Sequence, residues 1–123
     1  MGWNTWASLG MRPLPHRLNI VVSRRHAESV DKSVAWVVPN LDAALDVARS
    51  EKAFVIGGSQ LYASALPRAQ HLWVTQVETV VSEPDTWAPS IPGTFRLSES
   101  EPWQTDATSG LRWRVEHWER WTA

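Results

Sequence analysis

Ala53-Phe54-Val55-Ile56-Gly57-Gly58-Ser59-Gln60-Leu61-Tyr62 decides the fold, because an apolar run stops at two glycines and the pattern then resumes with helical spacing. Phe54, Val55 and Ile56 predict a strand covered on both faces of a largely parallel sheet. Beyond the glycines, Leu61 with Ala65 and Tyr62 with Leu66 form i,i+4 pairs, Ser59 is placed to cap, and Pro67 closes the segment. A helix that starts where a buried strand ends aims its free N–H groups at the sheet's carboxyl edge, where glycine lets phosphates approach the backbone. The same pair of glycines also suits a plain strand-to-helix turn, and the pattern is neither G-x-G-x-x-G nor a P-loop. The neighbouring segments have to decide between these readings.

On the N-terminal side, Val34-Ala35-Trp36-Val37-Val38 predicts a strand, and Asn40 caps a helix with the stripe Leu41, Ala44, Leu45, Ala48. That helix leads back through Arg49-Ser50-Glu51-Lys52, so strands 34–38 and 53–56 are expected to be parallel neighbours or near neighbours in a βαβ unit. Leu18-Asn19-Ile20-Val21-Val22 predicts another buried strand, followed by Ser23-Arg24-Arg25-His26. A hydroxyl and two guanidiniums there suit a phosphate monoester, and equally a solvated basic loop. The first residues predict a short helix from Asn4 or Thr5, with Gly10 as its C-terminal glycine and a turn at Arg12-Pro13-Leu14-Pro15.

On the C-terminal side, Leu72-Trp73-Val74-Thr75-Gln76-Val77 predicts a strand with Thr75 as an isolated polar residue, and Ser82 to Thr86 and Pro89 to Pro92 predict loop. Leu111-Arg112-Trp113-Arg114-Val115-Glu116 alternates, predicting a half-exposed antiparallel edge or hairpin strand, with a bulge where the alternation slips at His117-Trp118.

A chain of 123 residues with 43% hydrophobic content supports one core and one domain, 1–123. A net charge of -1 without a basic block argues against nucleic acid as a partner. No apolar run spans a bilayer and no signal peptide is evident, so a soluble, cytoplasmic protein is expected. The absence of cysteine excludes disulfides, thiol nucleophiles and cysteine-based metal sites. His16, His26, His71 and His117 are scattered without an H-E-x-x-H pair, so no metal site is expected. Nine tryptophans are read as filling and rimming a small core.

Three separated segments, in order and at family spacing apart from one extra residue near Met11, resemble dihydrofolate reductase over nearly the whole chain. They are Met1-Gly2-x-x-Thr5-Trp6-x-Ser8-Leu9-Gly10 with Arg12-Pro13-Leu14-Pro15-x-Arg17-x-Asn19-Ile20-Val21-Val22-Ser23-Arg24; Phe54 to Tyr62; and Leu66-Pro67-x-Ala69 with Leu72-x-Val74-Thr75 and Asp85-Thr86. The resemblance implies an α/β fold with a mostly parallel central sheet, flanking helices and an antiparallel C-terminal hairpin. It also implies an oxidoreductase of tetrahydrofolate biosynthesis and one-carbon metabolism, reducing dihydrofolate with NADPH.

By resemblance, Gly57-Gly58 is joined by a cis peptide, and Gly2, Thr5, Ile56, Gly57, Gly58, Ser59, Gln60, Leu61 and Tyr62 line the cofactor. Ser23 and Arg24, with Arg25, take the 2′-phosphate. The family usually carries a basic residue after Gly2, and here that residue is Trp3. Toward substrate, Arg17 grips the α-carboxylate of the folate tail, Leu14 touches the aminobenzoyl ring, Ile56 offers its carbonyl to the pterin, and Thr75 supports the catalytic carboxylate.

That carboxylate is not found here by the same resemblance. In the family a preceding segment supplies a central strand, a mobile loop and the acid-bearing helix, and Asp42, Asp46, Glu51 and Asp85 do not occupy that place. The domain is therefore expected to be N-terminally incomplete and marginally stable, its start set at an internal methionine. The alternatives are a complementing segment from another chain or a non-catalytic remnant that binds NADPH and folate. A monomer is expected. A related reductase domain of the pterin or riboflavin pathways is a further reading, disfavoured by Arg17 and its Pro-Leu-Pro loop.

Overall fold

The structure is a computed structural model and describes residues 1–121. In chain order its elements are α1 (Trp3–Ser8), β1 (Ile20–Val22), β2 (Trp36–Val38), α2 (Leu41–Val47), α3 (Ser59–Ala65), β3 (His71–Val77), β4 (Phe95–Ser100), β5 (Gln104–Thr105) and β6 (Arg112–Arg120). Short 3-10 turns occupy Ala27–Ser29 and Leu66–Arg68. The fold is mixed α/β, and the chain divides into two compact units, Met1–Pro67 and Arg68–Ala123.

In the first unit β1 and β2 pair in parallel, Ile20 opposite Trp36 and Val22 opposite Val38, and Gly2 bridges to Val22. The core is built from Trp6, Val21, Val30 and Ala35, with Met1, Trp3, Leu9 and Val37 packed around it. Trp6 is 1% exposed and lies on the inward face of α1. The α1 helix begins at Trp3 with Gly2 as its N-cap, earlier than the Asn4 or Thr5 start predicted, and no side chain caps it. Gly10 follows the helix with a φ of 70°, the left-handed conformation that ends helices, as expected. Asn40 caps α2 as expected, its Oδ1 accepting from the Ala43 N–H at 2.8 Å, and Ala44 and Ala48 are buried.

Ala53–Ile56, expected to be a central strand beside 34–38, forms no strand among the described residues. Phe54 is 62% exposed. A run of β-branched and aromatic residues becomes a strand only when a neighbour offers a ladder of hydrogen bonds, and β2 is paired with β1 instead. The expected βαβ unit therefore reduces to β2, α2 and an extended segment. Among the described residues parallel pairing is confined to β1, β2 and the Gly2 bridge.

The second unit is an antiparallel sheet in the order β3-β6-β4, with β5 also on β6. Of the two readings predicted for it, an antiparallel edge or hairpin strand, β6 takes the second, forming a hairpin with β5, and it lies between β3 and β4 and not at an edge. Alternation reports that one face is more solvated than the other, and says nothing about whether the strand's two edges are paired. The alternation also misjudges the buried residue: Glu116 is the most enclosed position of β6, while Leu111 just before the strand is exposed. The predicted irregularity lies opposite His117 and Trp118, but the extra residue is Ser98, on β4, between Leu97 and Glu99.

Glu116 is buried with full compensation. Its Oε1 accepts from Gln76 Nε2 at 3.2 Å and Trp118 Nε1 at 3.1 Å, and its Oε2 pairs with an Arg114 guanidinium nitrogen at 2.9 Å. Burial pushes its pKa up, and the bonds from Trp118, Gln76 and Arg114 with the Arg114 charge outweigh it, leaving the carboxyl below its ordinary range.

Candidate functional site

The turn at Gly57–Gly58 is where the first unit brings its expected site residues together. The Gly2 N–H donates to the Gly57 carbonyl at 2.7 Å, tying the start of α1 to the turn that starts α3. The Gly57–Gly58 peptide bond is cis, the conformation the resemblance implies. Gly57 has a φ of 124°, where a side chain is strained, and a Cβ there would stand 3.1 Å from Thr5 Oγ1 and 3.7 Å from the Tyr62 hydroxyl. Gly2, Thr5, Gly57, Gly58 and Tyr62 are therefore mutual neighbours.

Gly58, and not Ser59 as predicted, is the N-cap of α3, its carbonyl accepting from the Tyr62 N–H at 2.9 Å. Ser59, Gln60 and Leu61 form the first turn of the helix. A Cβ on Gly58 would meet nothing within 4 Å, so the space on that side of the residue is open. Ile56 is exposed just before the turn.

A second cluster follows β1. The Ser23 N–H donates to the Val38 carbonyl at 2.8 Å, and Ser23 Oγ lies 2.9 Å from His26 Nδ1. The His26 ring stacks on Trp3 at 3.8 Å with 5° between the planes. Trp3, standing where the family usually has a basic residue, is thus tied through His26 to Ser23, beside the exposed Arg24 and Arg25. Sequence reasoning missed His26; its only signal was its place one residue beyond the two arginines.

Leu14 and Arg17 lie on a loop held by Asn19, which sequence reasoning treated only as part of a strand. The buried Asn19 accepts from the Leu14 N–H at 2.9 Å and donates through Nδ2 to the carbonyls of Leu14 at 2.9 Å and Arg17 at 3.0 Å. Arg17 is exposed, with Nε on the Pro15 carbonyl at 2.9 Å. Thr75 belongs to the second unit, exposed on β3 opposite Val115.

The residues of the first unit fit a dinucleotide. An open Gly58 backbone beside Thr5 offers N–H and hydroxyl donors for a pyrophosphate, and a serine with two exposed arginines offers donors for a further phosphate.

The family model described as dihydrofolate reductase matches residues 1–120. The chain belongs to the dihydrofolate reductase family. It is 35% identical over 122 residues to a dihydrofolate reductase of Neisseria meningitidis serogroup B, covering 98% of this chain and 74% of that protein. It is 40% identical over 124 aligned residues to that of Mycobacterium tuberculosis, covering 98% of this chain and 73% of the relative. To the type 3 dihydrofolate reductase of Salmonella typhimurium it is 50% identical over 82 residues, or 63% of this chain and 47% of the relative. The matched part thus spans about half of the last protein and about three quarters of the other two. Among the described residues no helix is long and apolar enough to cross a membrane.

Proposed function

We propose that this chain reduces dihydrofolate to tetrahydrofolate with NADPH as a single dihydrofolate-reductase-like functional domain. The observation that carries the reading is the family match over residues 1–120, with the Gly2 to Gly57 contact supporting the site within it.

When bound, NADPH supplies the hydride. The protein's own residues then have distinct tasks. The amides at Gly58, Ser59 and Gln60 and the hydroxyl of Thr5 bind the pyrophosphate, with Gly2 and Gly57 keeping the backbone clear of side chains. Ser23, Arg24 and Arg25 pair with the 2′-phosphate, a charge-assisted contact that NADH lacks. Tyr62 and Leu61 flank the nicotinamide side. Arg17 pairs with the α-carboxylate of the folate tail, Leu14 packs on its aromatic ring, and the Ile56 carbonyl accepts from the pterin. Thr75 is the position that would support a proton-donating carboxylate, a group that Asp42, Asp46, Glu51 and Asp85 do not supply. The finer architecture in this proposal, a mostly parallel central sheet, requires Ala53–Ile56 to pair as a strand; its unbroken apolar run supports that reading.

The test is titration of NADPH against tryptophan fluorescence, followed by dihydrofolate-dependent oxidation of NADPH. Saturable NADPH binding is expected, with turnover in this chain or in a version extended at its N-terminus by a segment that carries the proton-donating carboxylate. Binding without turnover, both in this chain and in a version extended at its N-terminus, would replace the enzyme by a non-catalytic NADPH- and folate-binding module.

A further inference from the structure

We propose that His71, His117 and Glu119 form a binding site for a divalent first-row transition ion, with Zn2+ as the type, clamping β3 to β6 at one end of the antiparallel sheet. The site lies wholly in the second unit and does not depend on the folate reading.

The strand register builds it. His71 pairs with Glu119 and Trp73 with His117, so these four side chains emerge from one face of the two strands, two on each. His71 and His117 are the diagonal pair of that quartet. Their ring nitrogens, His71 Nδ1 and His117 Nε2, lie 2.9 Å apart, and Glu119 Oε1 is 3.9 Å from each. Two ligand atoms on a tetrahedral zinc, each ~2.1 Å from the ion, stand roughly 3.4 Å apart. The three observed separations bracket that figure, so small side-chain rotations suffice to centre an ion.

The donor set selects the ion. Two imidazoles and one carboxylate form a borderline set that suits zinc, copper and nickel, whereas Mg2+ and Ca2+ require oxygen ligands. The hydrogen bond between the rings already requires one ring nitrogen to present a lone pair, the form in which imidazole ligates. The carboxylate supplies negative charge. Water completes the coordination, because His71 and Glu119 have side chains 54% and 47% exposed.

One ligand is held in advance. The His117 side chain is only 15% exposed, and its ring stacks on Trp73 at 4.1 Å with 5° between the planes. That stack fixes the plane of His117, while His71 and Glu119 at the mouth leave an entry path. The absence of any metal spacing in the sequence has a plain cause: the two histidines are 46 positions apart, and only strand pairing joins them.

Calorimetric titration of Zn2+ into the whole chain, with thermal unfolding in Zn2+, in Mg2+ and in chelator, tests the proposal. One Zn2+ per chain is expected, with a rise in the unfolding midpoint that chelator reverses and Mg2+ does not reproduce. His71→Asn and Glu119→Gln alter exposed side chains and should leave the fold intact while weakening Zn2+ binding by about tenfold or more. Cu2+ provides a local readout: bound beside Trp73 it should quench part of the tryptophan fluorescence, a component missing in Trp73→Phe even though that variant still takes up Zn2+. No stoichiometric binding, or binding unchanged in both His71→Asn and Glu119→Gln, would overturn the proposal.

Discussion

The Gly2 N–H and the Gly57 carbonyl meet at 2.7 Å, so the start of α1 and the turn before α3 form one backbone assembly. Gly57 is the intolerant member, with a φ of 124° and Thr5 Oγ1 only 3.1 Å from where a Cβ would stand. Gly57→Ala is expected to cost about 1–3 kcal/mol and to weaken NADPH binding, read by denaturant titration and fluorescence. Gly2→Ala, whose Cβ would lie an ordinary 3.6 Å from the Gly58 nitrogen, should cost far less.

Asn19 holds the loop that presents Leu14 and Arg17 through three hydrogen bonds made from a buried position. Asn19→Leu removes the carboxamide and strands three backbone groups, for an expected loss of roughly 1–3 kcal/mol. Under the proposed function it should also raise the KM for dihydrofolate while changing the KM for NADPH little. Equal changes in both would show that the loop does not serve the folate side.

Trp6 is the largest fully buried side chain, packed on Val21, Val30 and Ala35. Trp6→Ala is expected to destabilise the protein by about 3–5 kcal/mol, a large share of the roughly 5–15 kcal/mol that holds an ordinary domain together and enough to unfold one at the low end of that range. Loss of the cooperative transition in circular dichroism would report it.

Trp3 stacks on His26, which bonds Ser23. Trp3→Arg places a guanidinium beside Ser23, Arg24 and Arg25 and should raise affinity for NADPH several-fold relative to NADH. The ratio of the two dissociation constants checks it, and an unchanged ratio would remove Trp3 from the proposed 2′-phosphate contacts.

Glu116 makes acid stability readable. Its folded pKa lies below the ordinary 4.5, burial being offset by the donors Trp118, Gln76 and Arg114. A depressed carboxylate adds stability that is complete above its unfolded pKa and is lost as pH falls through the folded value. The unfolding midpoint should therefore drop as pH falls below 4.5, and Glu116→Gln should flatten that decline. At neutral pH the same variant should cost about 1–3 kcal/mol, because the partly buried Arg114 loses its counter-charge.

What the sequence determined by itself is local and periodic. Asn40 before its apolar stripe, Gly10 after α1, the run that became β1 and the glycines before α3 all act through neighbours a few residues away, so chain order suffices to read them. The ordered motifs from Met1 to Thr86 identified the family for the same reason. What only the tertiary structure decided is pairing and burial. Ala53–Ile56 has the composition of a strand and no ladder, β6 is central although its alternation suits an edge, and Glu116 is enclosed because three donors converge on it. The His71–His117–Glu119 cluster and the Trp3–His26 stack were equally hidden, since register and packing join residues that no spacing rule connects. A strand's partner, unlike its propensity, is set by the rest of the chain.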